Sequence, residues 1–316
     1  MTADNSQIWF DYCHQVLDLS SEEIRPGCEP RIFSHGDRVS NVVVLIHGLS
    51  DSPFYMRAIG ERFYKMGFNV LLPLLPAHGI NNVAKAQQRM ENVTLDEWKK
   101  AVNFTVEYAK QLGNKVSIGG LSTGGTLAVY QGINYPQDIN GGIFLFSAAI
   151  DLGDFPEIIL SSNNRLEELL KRLADKSQAK IRGRIVGDNP YTYAWIPTHS
   201  VEQLVYLIEE IEGYYPNRKQ RYDDLKQPVF IAHSEFDETV PIEDLQLLIN
   251  NHPLKQKNRF FKILRKFYVT HARLVLDENV YSLGVNIPKG EPLECKNPLF
   301  DDMINSMKEF IDQNLL

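Results

Sequence analysis

The residues Gly120-Leu121-Ser122-Thr123-Gly124-Gly125 are the most informative in this chain. It lies between a short apolar run at 116–118, which favours a β-strand, and a run at 126–135 of helical character. Gly-x-Ser-x-Gly at a strand-to-helix turn is typical of a nucleophile elbow. In such a turn only glycine fits two positions from the serine, and the serine hydroxyl stands above the sheet on strained backbone. The pattern therefore predicts a nucleophile at Ser122.

Strand and helix patterns alternate on both sides of this turn. Continuous apolar runs predict buried strands, and stripes of apolar residues at helical spacing predict helices. The strand patterns lie at 41–47, 69–72, 142–147, 228–232 and 260–264, and the helix patterns at 53–66, 94–111, 242–250 and 300–311. This alternation predicts an α/β fold, with a mostly parallel sheet and helices on both faces.

The alternation stops between about residues 151 and 225, where the sequence is charged and helical in pattern. Within it, Ser200-x-x-Gln203 predicts a capped helix whose apolar stripe runs from Val201 to Ile211. The simplest division is an α/β core at 1–150 and 226–316, interrupted by a helical cap at 151–225.

Composition narrows the class of protein. The chain has 316 residues, 43% of them hydrophobic and 23% charged, as expected of a globular protein. Its longest aliphatic run, Val42–Ile46, is too short to span a membrane. The net charge of −7 argues against nucleic acid or anionic lipid headgroups as main partners. The first 20 residues lack a signal-peptide pattern, so we expect a cytoplasmic protein, although export without a signal would leave no trace.

The three cysteines form no C-x-x-C pair and are odd in number. Reduced thiols are therefore favoured over a bridge between Cys28 and Cys295.

A serine nucleophile needs a histidine base, and that base needs a carboxylate to orient it. In hydrolase folds these residues follow the serine in the order acid, then histidine. Asp237 follows a strand and is the predicted acid, with Glu235 and Glu238 as rivals that solvated loop positions would explain equally well. His271 follows the next strand and is the predicted base. Its competitor, His252, follows a helix, where a capping role is more typical.

The oxyanion formed by serine attack needs two backbone N–H donors. One is predicted at Thr123 and the other at Leu49, in the turn after His47-Gly48. His47 is expected to lock this loop rather than act as a base, and the histidines elsewhere in the chain are expected to be structural or exposed. No zinc or P-loop motif occurs, so the sequence predicts neither a metal nor a cofactor.

These motifs together, with Leu45-Ile-His-Gly-Leu-Ser-Asp-Ser-Pro53 and Leu75-Pro-Ala-His-Gly79, resemble the α/β-hydrolase family. Within that family the chain is most similar to the carboxylesterase, monoacylglycerol lipase and lysophospholipase-like branch. The resemblance implies a Ser122–Asp237–His271 triad, no cofactor, and hydrolysis of carboxylic esters. One position departs from the family pattern His-Gly-x-x-Gly: Asp51 stands where the second glycine is common.

The substrate is less well defined by the sequence, beyond a small-molecule or lipid ester. Tyr191, Tyr193, Trp195 and the stripe containing Leu204 are predicted to cover an acyl pocket, or else to pack the cap onto the core. Two other functions stay open. The same triad serves acyltransferases and thioesterases, and a catalytically silent member of the fold would bind a ligand instead.

Overall fold

The computed structural model describes residues 5–150, 185–213, 222–282 and 290–316. A seven-stranded sheet in the order β1-β3-β2-β4-β5-β6-β7 forms its centre, and every strand runs parallel to its neighbours except the edge strand β1. The strands are β1 Arg31–Phe33, β2 Val39–Ile46, β3 Asn69–Leu72, β4 Gly113–Leu121, β5 Ile143–Phe146, β6 Val229–Ser234 and β7 Arg259–Ile263.

Helices cover both faces of this sheet. In the described ranges they are α1 Asn5–Tyr12, α2 Phe54–Lys65, α3 Val83–Met90, α4 Leu95–Leu112, α5 Thr123–Asn134, α6 Thr198–Gly213, α7 Ile242–Asn251 and α8 Phe300–Asn314. The predicted alternation of strands and helices is confirmed. The antiparallel strand β1 is an addition that three residues of sequence do not signal.

The central strands are apolar throughout because both of their faces are covered. Residues 41–46 of β2 are all buried, and this strand pairs with β4 from Val39 opposite Gly113 to Ile46 opposite Gly120. Two hydrophobic clusters result, one on each side of the sheet. Trp98 of α4 lies fully buried in the first and Phe310 of α8 in the second. The register fixes where each strand ends, and therefore where the loops that follow meet.

The cap of α4 follows local sequence rules. The Thr94 hydroxyl accepts a hydrogen bond from the Glu97 backbone N–H, and the Glu97 carboxylate accepts one from the Thr94 backbone N–H at 2.8 Å. This is the predicted capping box, and Gly113 follows the helix directly.

The prediction that Ser200 and Gln203 cap the N-terminus of helix α6 is wrong. The helix begins at Thr198, two residues before Ser200. Ser200 instead donates to the Met90 carbonyl, and the Gln203 side-chain oxygen accepts a hydrogen bond from Leu95 N–H at 2.9 Å. These side chains bind α6 to the α3–α4 connection, because long-range partners compete with the helix's own N-terminus for them.

The apolar stripe of α6 is buried as predicted, and the helix packs against α4 and α5. The remainder of the predicted cap, at 151–184 and 214–221, lies outside the described residues, so the 151–225 boundary stays a prediction.

The described residues also show the state of the cysteines and the apolar character of the helices. Cys13, Cys28 and Cys295 are free thiols, the first two buried and the third exposed. Among the described helices, none is both long enough and apolar enough to cross a membrane.

The packing of α8 gives the first prediction. Phe310 is fully buried, with ring centroids 5.4 Å from Phe144 and 5.9 Å from Phe230. We expect Phe310→Ala to lower the free energy of unfolding by about 3–5 kcal/mol, because it leaves a cavity against the sheet. Urea denaturation measures this. Phe10→Ala, at a side chain that is 59% exposed, is the control and should cost less than about 1 kcal/mol. Similar losses in the two variants would contradict this packing.

Candidate active site

Ser122 stands between the end of β4 and the start of α5 in strained backbone. Its φ of 53° and ψ of −120° lie in a region that side-chain-bearing residues rarely adopt. The flanking glycines make this turn feasible. A Cβ on Gly120 would lie 2.4 Å from the Ile46 carbonyl oxygen, and one on Gly124 would lie 2.1 Å from the same atom. The end of β2 therefore packs directly onto the elbow, as the Gly-x-Ser-x-Gly spacing predicts.

Asp237 follows β6 and His271 follows β7, whereas Ser122 follows β4. All three residues therefore lie at the carboxyl ends of parallel strands. Their side chains meet, with His271 Nδ1 2.6 Å from Asp237 Oδ2. The Asp237 side chain is fully buried, and its second oxygen accepts hydrogen bonds from Thr239 N–H at 2.8 Å and Val240 N–H at 3.4 Å. A carboxylate accepts only, so His271 donates from Nδ1 and keeps Nε2 unprotonated when neutral. That is the tautomer that a general base requires.

The rival carboxylates point elsewhere. Glu235 pairs with Lys262 at 2.8 Å, and Glu238 pairs with Arg265 at 3.5 Å, both at the protein surface. His252, the competing histidine, is buried behind α7 and accepts a hydrogen bond from Leu254 N–H. Of the residues weighed in the sequence, Asp237 and His271 are the pair that the structure brings together.

The predicted oxyanion donors come from two turns next to Ser122. Thr123 begins α5, so its N–H belongs to the first helical turn, which has no acceptor within the helix. Leu49 lies in the turn after β2, and its N–H has no hydrogen-bond acceptor among the described residues. The Gly48 backbone in this turn faces the serine, since a Cβ built on Gly48 would lie 3.4 Å from Ser122 Cβ.

Two buried histidines hold the Leu49 turn. His47 donates from Nδ1 to the Gly48 carbonyl at 2.8 Å and accepts a hydrogen bond from Leu75 N–H at 3.0 Å. His78 Nε2 lies 2.6 Å from the Leu49 carbonyl oxygen. Burial lowers the pKa of both rings. The locking role expected of His47 fits this arrangement. Apart from the place of His78 in the Pro-Ala-His-Gly motif, nothing in the sequence indicates that this residue contacts the turn.

Residues 37–268 match the family described as serine aminopeptidase, S33, within the α/β-hydrolases. The chain belongs to this family.

A thermostable monoacylglycerol lipase from Bacillus sp. (strain H-257) is 31% identical to this S33 hydrolase over 199 residues, which cover 63% of the chain and 71% of the relative. The solved structure of a monoacylglycerol lipase from Paleococcus ferrophilus aligns with a TM-score of 0.59 at 15% identity, covering 90% of the chain and 98% of that protein. A structure reported for the metagenome-derived lipolytic enzymes LipS and LipT gives 0.58 at 20% identity, covering 80% and 92%. The predicted α/β-hydrolase fold is confirmed, and the protein is a hydrolase of the lipase and esterase type.

The predicted acyl-pocket residues of the S33 hydrolase mostly pack against the core. Tyr191 stacks on Phe54 with ring centroids 3.7 Å apart, and the Tyr193 hydroxyl donates to the Ala77 carbonyl at 2.9 Å. Leu204 is only 2% exposed, whereas Trp195 is half-buried. A role of Trp195 or Leu204 in substrate binding stays a prediction.

Across the described ranges, no group of three or more His, Cys, Asp or Glu side chains is arranged to hold a metal ion.

His233, expected to be structural or exposed, lies fully buried at the end of β6, four residues before Asp237. Neither ring nitrogen has a hydrogen-bond partner among the described residues. Burial lowers the pKa of His233 to about 4, although the nearby charge of Asp237 acts in the opposite direction. The folded hydrolase therefore keeps this ring neutral, next to its candidate acid.

This burial predicts an acid-sensitive fold. An unfolded histidine binds a proton below about pH 6.5, whereas folded His233 does so only near pH 4, so stability should fall as the pH drops through this window. His233→Leu should make that fall shallower by up to about 1.4 kcal/mol per pH unit. Urea denaturation from pH 7 to 4 measures the slope. His14→Asn, at an exposed histidine, is the control. Equal slopes for the wild type and His233→Leu would contradict the prediction.

Proposed function

We propose that this S33 hydrolase cleaves carboxylic esters through an acyl-enzyme on Ser122, with His271 as the general base and Asp237 as the acid that orients it. The observation that carries the proposal is the buried contact of Asp237 with His271 Nδ1 at 2.6 Å, at the same sheet edge as the strained Ser122. This contact leaves Nε2 as the proton acceptor that a serine nucleophile needs.

The chemistry follows from these roles. Ser122 Oγ attacks the ester carbonyl carbon while His271 Nε2 takes its proton, and the negative charge develops on the carbonyl oxygen. The N–H groups of Leu49 and Thr123 are the proposed donors to that oxygen. Collapse of the tetrahedral intermediate breaks the ester C–O bond, and the alcohol leaves with the proton from His271. Water, deprotonated by the same ring, then releases the acid and restores Ser122.

The proposed substrate is a small or medium acyl ester, including a monoacylglycerol or a lysophospholipid. Support for a lipid ester comes from the Bacillus relative, which is a monoacylglycerol lipase. No cofactor is part of the proposal. The helical cap at 151–225 and a cytoplasmic location stay predictions from the sequence.

Substrate competition separates this function from its alternatives. An ester hydrolase passes the acyl group to water, whereas an acyltransferase prefers an added alcohol, and a thioesterase prefers the thioester of a matched acyl pair. Because the family description names an aminopeptidase, an aminoacyl amide is compared with the ester and the thioester. We expect the ester to be the fastest of these three acyl donors at equal concentrations, and its acyl group to pass to water rather than to the added alcohol. Labelling by a fluorophosphonate probe tests for a silent protein, which would not react.

The triad proposal has a direct test. Ser122→Ala should abolish ester hydrolysis and fluorophosphonate labelling without lowering the melting temperature, because the hydroxyl acts only in the reaction. Asp237→Asn should reduce kcat by about 10⁴-fold, since it spoils the tautomer and charge support of His271. Glu235→Gln and Glu238→Gln are the matched controls and should stay near wild type. If either control lost activity as Asp237→Asn does, the acid would be misassigned.

We expect side chains of the predicted cap to set the preferred acyl-chain length of the substrate. Each buried methylene of an acyl chain contributes about 0.8 kcal/mol of binding, so a pocket of fixed depth gives a rise and then a fall of kcat/KM with chain length. Trp195→Ala should move this optimum toward longer esters and leave the shortest ester almost unaffected. A panel of p-nitrophenyl esters graded in chain length measures the profile.

Leu204→Ala is the companion variant to Trp195→Ala. A shifted optimum in Leu204→Ala would assign Leu204 to the pocket as well. A uniform loss of activity with a lower melting temperature would assign it to the core, and an unchanged profile in both variants would place the pocket elsewhere.

A further inference from the structure

Asp51, which replaces the glycine common in the family, is buried beside the candidate nucleophile. The residue is 6% exposed and lies in the turn that carries Leu49. A Cβ on Gly48 would lie 2.4 Å from Asp51 Oδ2 and 3.4 Å from Ser122 Cβ, so the carboxylate fills the space against the turn next to the serine. A buried carboxylate is costly to desolvate unless it has hydrogen-bond partners.

Those partners include Thr192, which belongs to the segment 191–193 in the described part of the predicted cap. Asp51 Oδ1 accepts hydrogen bonds from Ser50 Oγ at 3.0 Å and from Thr192 Oγ1 at 3.2 Å. Thr192 Oγ1 also lies 2.9 Å from the Ser50 carbonyl oxygen and 3.4 Å from the Tyr193 carbonyl oxygen, so its single proton is shared among three acceptors, of which Ser50 is the nearest. The next residue, Tyr193, donates its backbone N–H to the same Ser50 carbonyl at 2.7 Å. Two consecutive residues, Thr192 and Tyr193, therefore form hydrogen bonds with the turn.

The segment itself is held firmly to the core. The Tyr193 hydroxyl donates to the Ala77 carbonyl at 2.9 Å and accepts a hydrogen bond from Ile80 N–H at 3.1 Å. Tyr191 stacks on Phe54, the first residue of α2. Thr192 thus extends from a fixed support, and its hydroxyl can constrain the turn.

The turn needs such a constraint because it has no regular secondary structure. His47 and His78 hold its first two carbonyls, at Gly48 and Leu49, from the side of the sheet. The far side, at Ser50 and Asp51, is held by Thr192 and Tyr193. Between these two anchors lies the N–H of Leu49. A donor to an oxyanion is effective only when it is held in place before the charge develops.

We propose that Asp51 and Thr192 form a clasp that positions the Leu49 N–H for the oxyanion, and that both are positioning residues. The proposal rests on the proposed function. It accounts for an aspartate at this position: a glycine there has no side chain for Thr192 to bind. The clasp acts through hydrogen bonding and not through the charge of Asp51, and this distinction makes it testable.

Two matched pairs of variants isolate the hydroxyl and the charge. Thr192→Val is isosteric and removes the hydroxyl, whereas Thr192→Ser retains it. Asp51→Ala removes the acceptor, whereas Asp51→Asn removes the charge and retains an acceptor oxygen. Loss of a whole oxyanion donor costs about 10²–10³-fold in kcat, and a loosened donor costs less. We expect Thr192→Val and Asp51→Ala to lose about 10–100-fold in kcat with KM within about threefold. Thr192→Ser and Asp51→Asn should stay within about threefold of wild type.

Binding of a transition-state analogue supplies the second readout. The affinity of an alkyl boronic acid, which forms a tetrahedral adduct with an active serine, should fall in Thr192→Val in parallel with kcat. Thermal melting of each variant shows whether it folds. Wild-type kcat in Thr192→Val would overturn the clasp. So would an Asp51→Asn variant as impaired as Asp51→Ala, because that result would assign the effect to charge.

Hydrogen–deuterium exchange separates failure of the clasp from failure of the proposed function. Amides of residues 48–52 should exchange faster in Thr192→Val than in Thr192→Ser, and this readout needs no substrate. If the wild type cleaves no ester but the exchange differs as expected, the clasp holds the turn and the proposed function fails. If exchange is equal in the two variants, the clasp itself is overturned, whatever the activity.

Discussion

The close packing of the end of β2 against the elbow at Ser122 is the constraint on which the site depends. Holding a residue at φ 53° and ψ −120° costs on the order of 1–3 kcal/mol, and such strain persists only where the surroundings enforce it. The Ile46 carbonyl group packs against this turn, in the space that side chains on Gly120 and Gly124 would need. This packing helps to hold Ser122 in its strained conformation. The same approach brings the turn after β2 against the serine.

This turn shows how the fold builds a precise backbone geometry without regular structure. The carbonyl oxygens of Gly48, Leu49 and Ser50 each lie within hydrogen-bond distance of a different part of the chain: His47 and the turn itself, the 76–79 loop, and the segment near Thr192. Gly48 and Leu49 are buried, so an unmade hydrogen bond at either carbonyl would cost about 1–3 kcal/mol. The N–H of Leu49, like those of Gly48 and Ser50, has no backbone acceptor among the described residues.

Parallel strand order explains why the acid and the base meet although they are far apart in the sequence. β6 and β7 are neighbours at one edge of the sheet, so the loops after them lie side by side and bring Asp237 against His271. Burial then selects among the carboxylates of one loop. Asp237 is enclosed by the Thr239 and Val240 amides, whereas Glu235 and Glu238 pair with surface cations.

The sequence alone determined the features that local spacing enforces. These are the glycines of the elbow, the α4 capping box, the buried face of α8 and the order of Ser122, Asp237 and His271, since each follows from a few adjacent residues or from strand order. The partners of polar side chains, in contrast, depend on the tertiary structure. His78 contacts a carbonyl 29 residues away, Ser200 one at 110, and Thr192 binds Asp51 across 141 residues. A hydroxyl or imidazole accepts many partners, and its own neighbours in sequence do not specify which one the folded chain brings within reach.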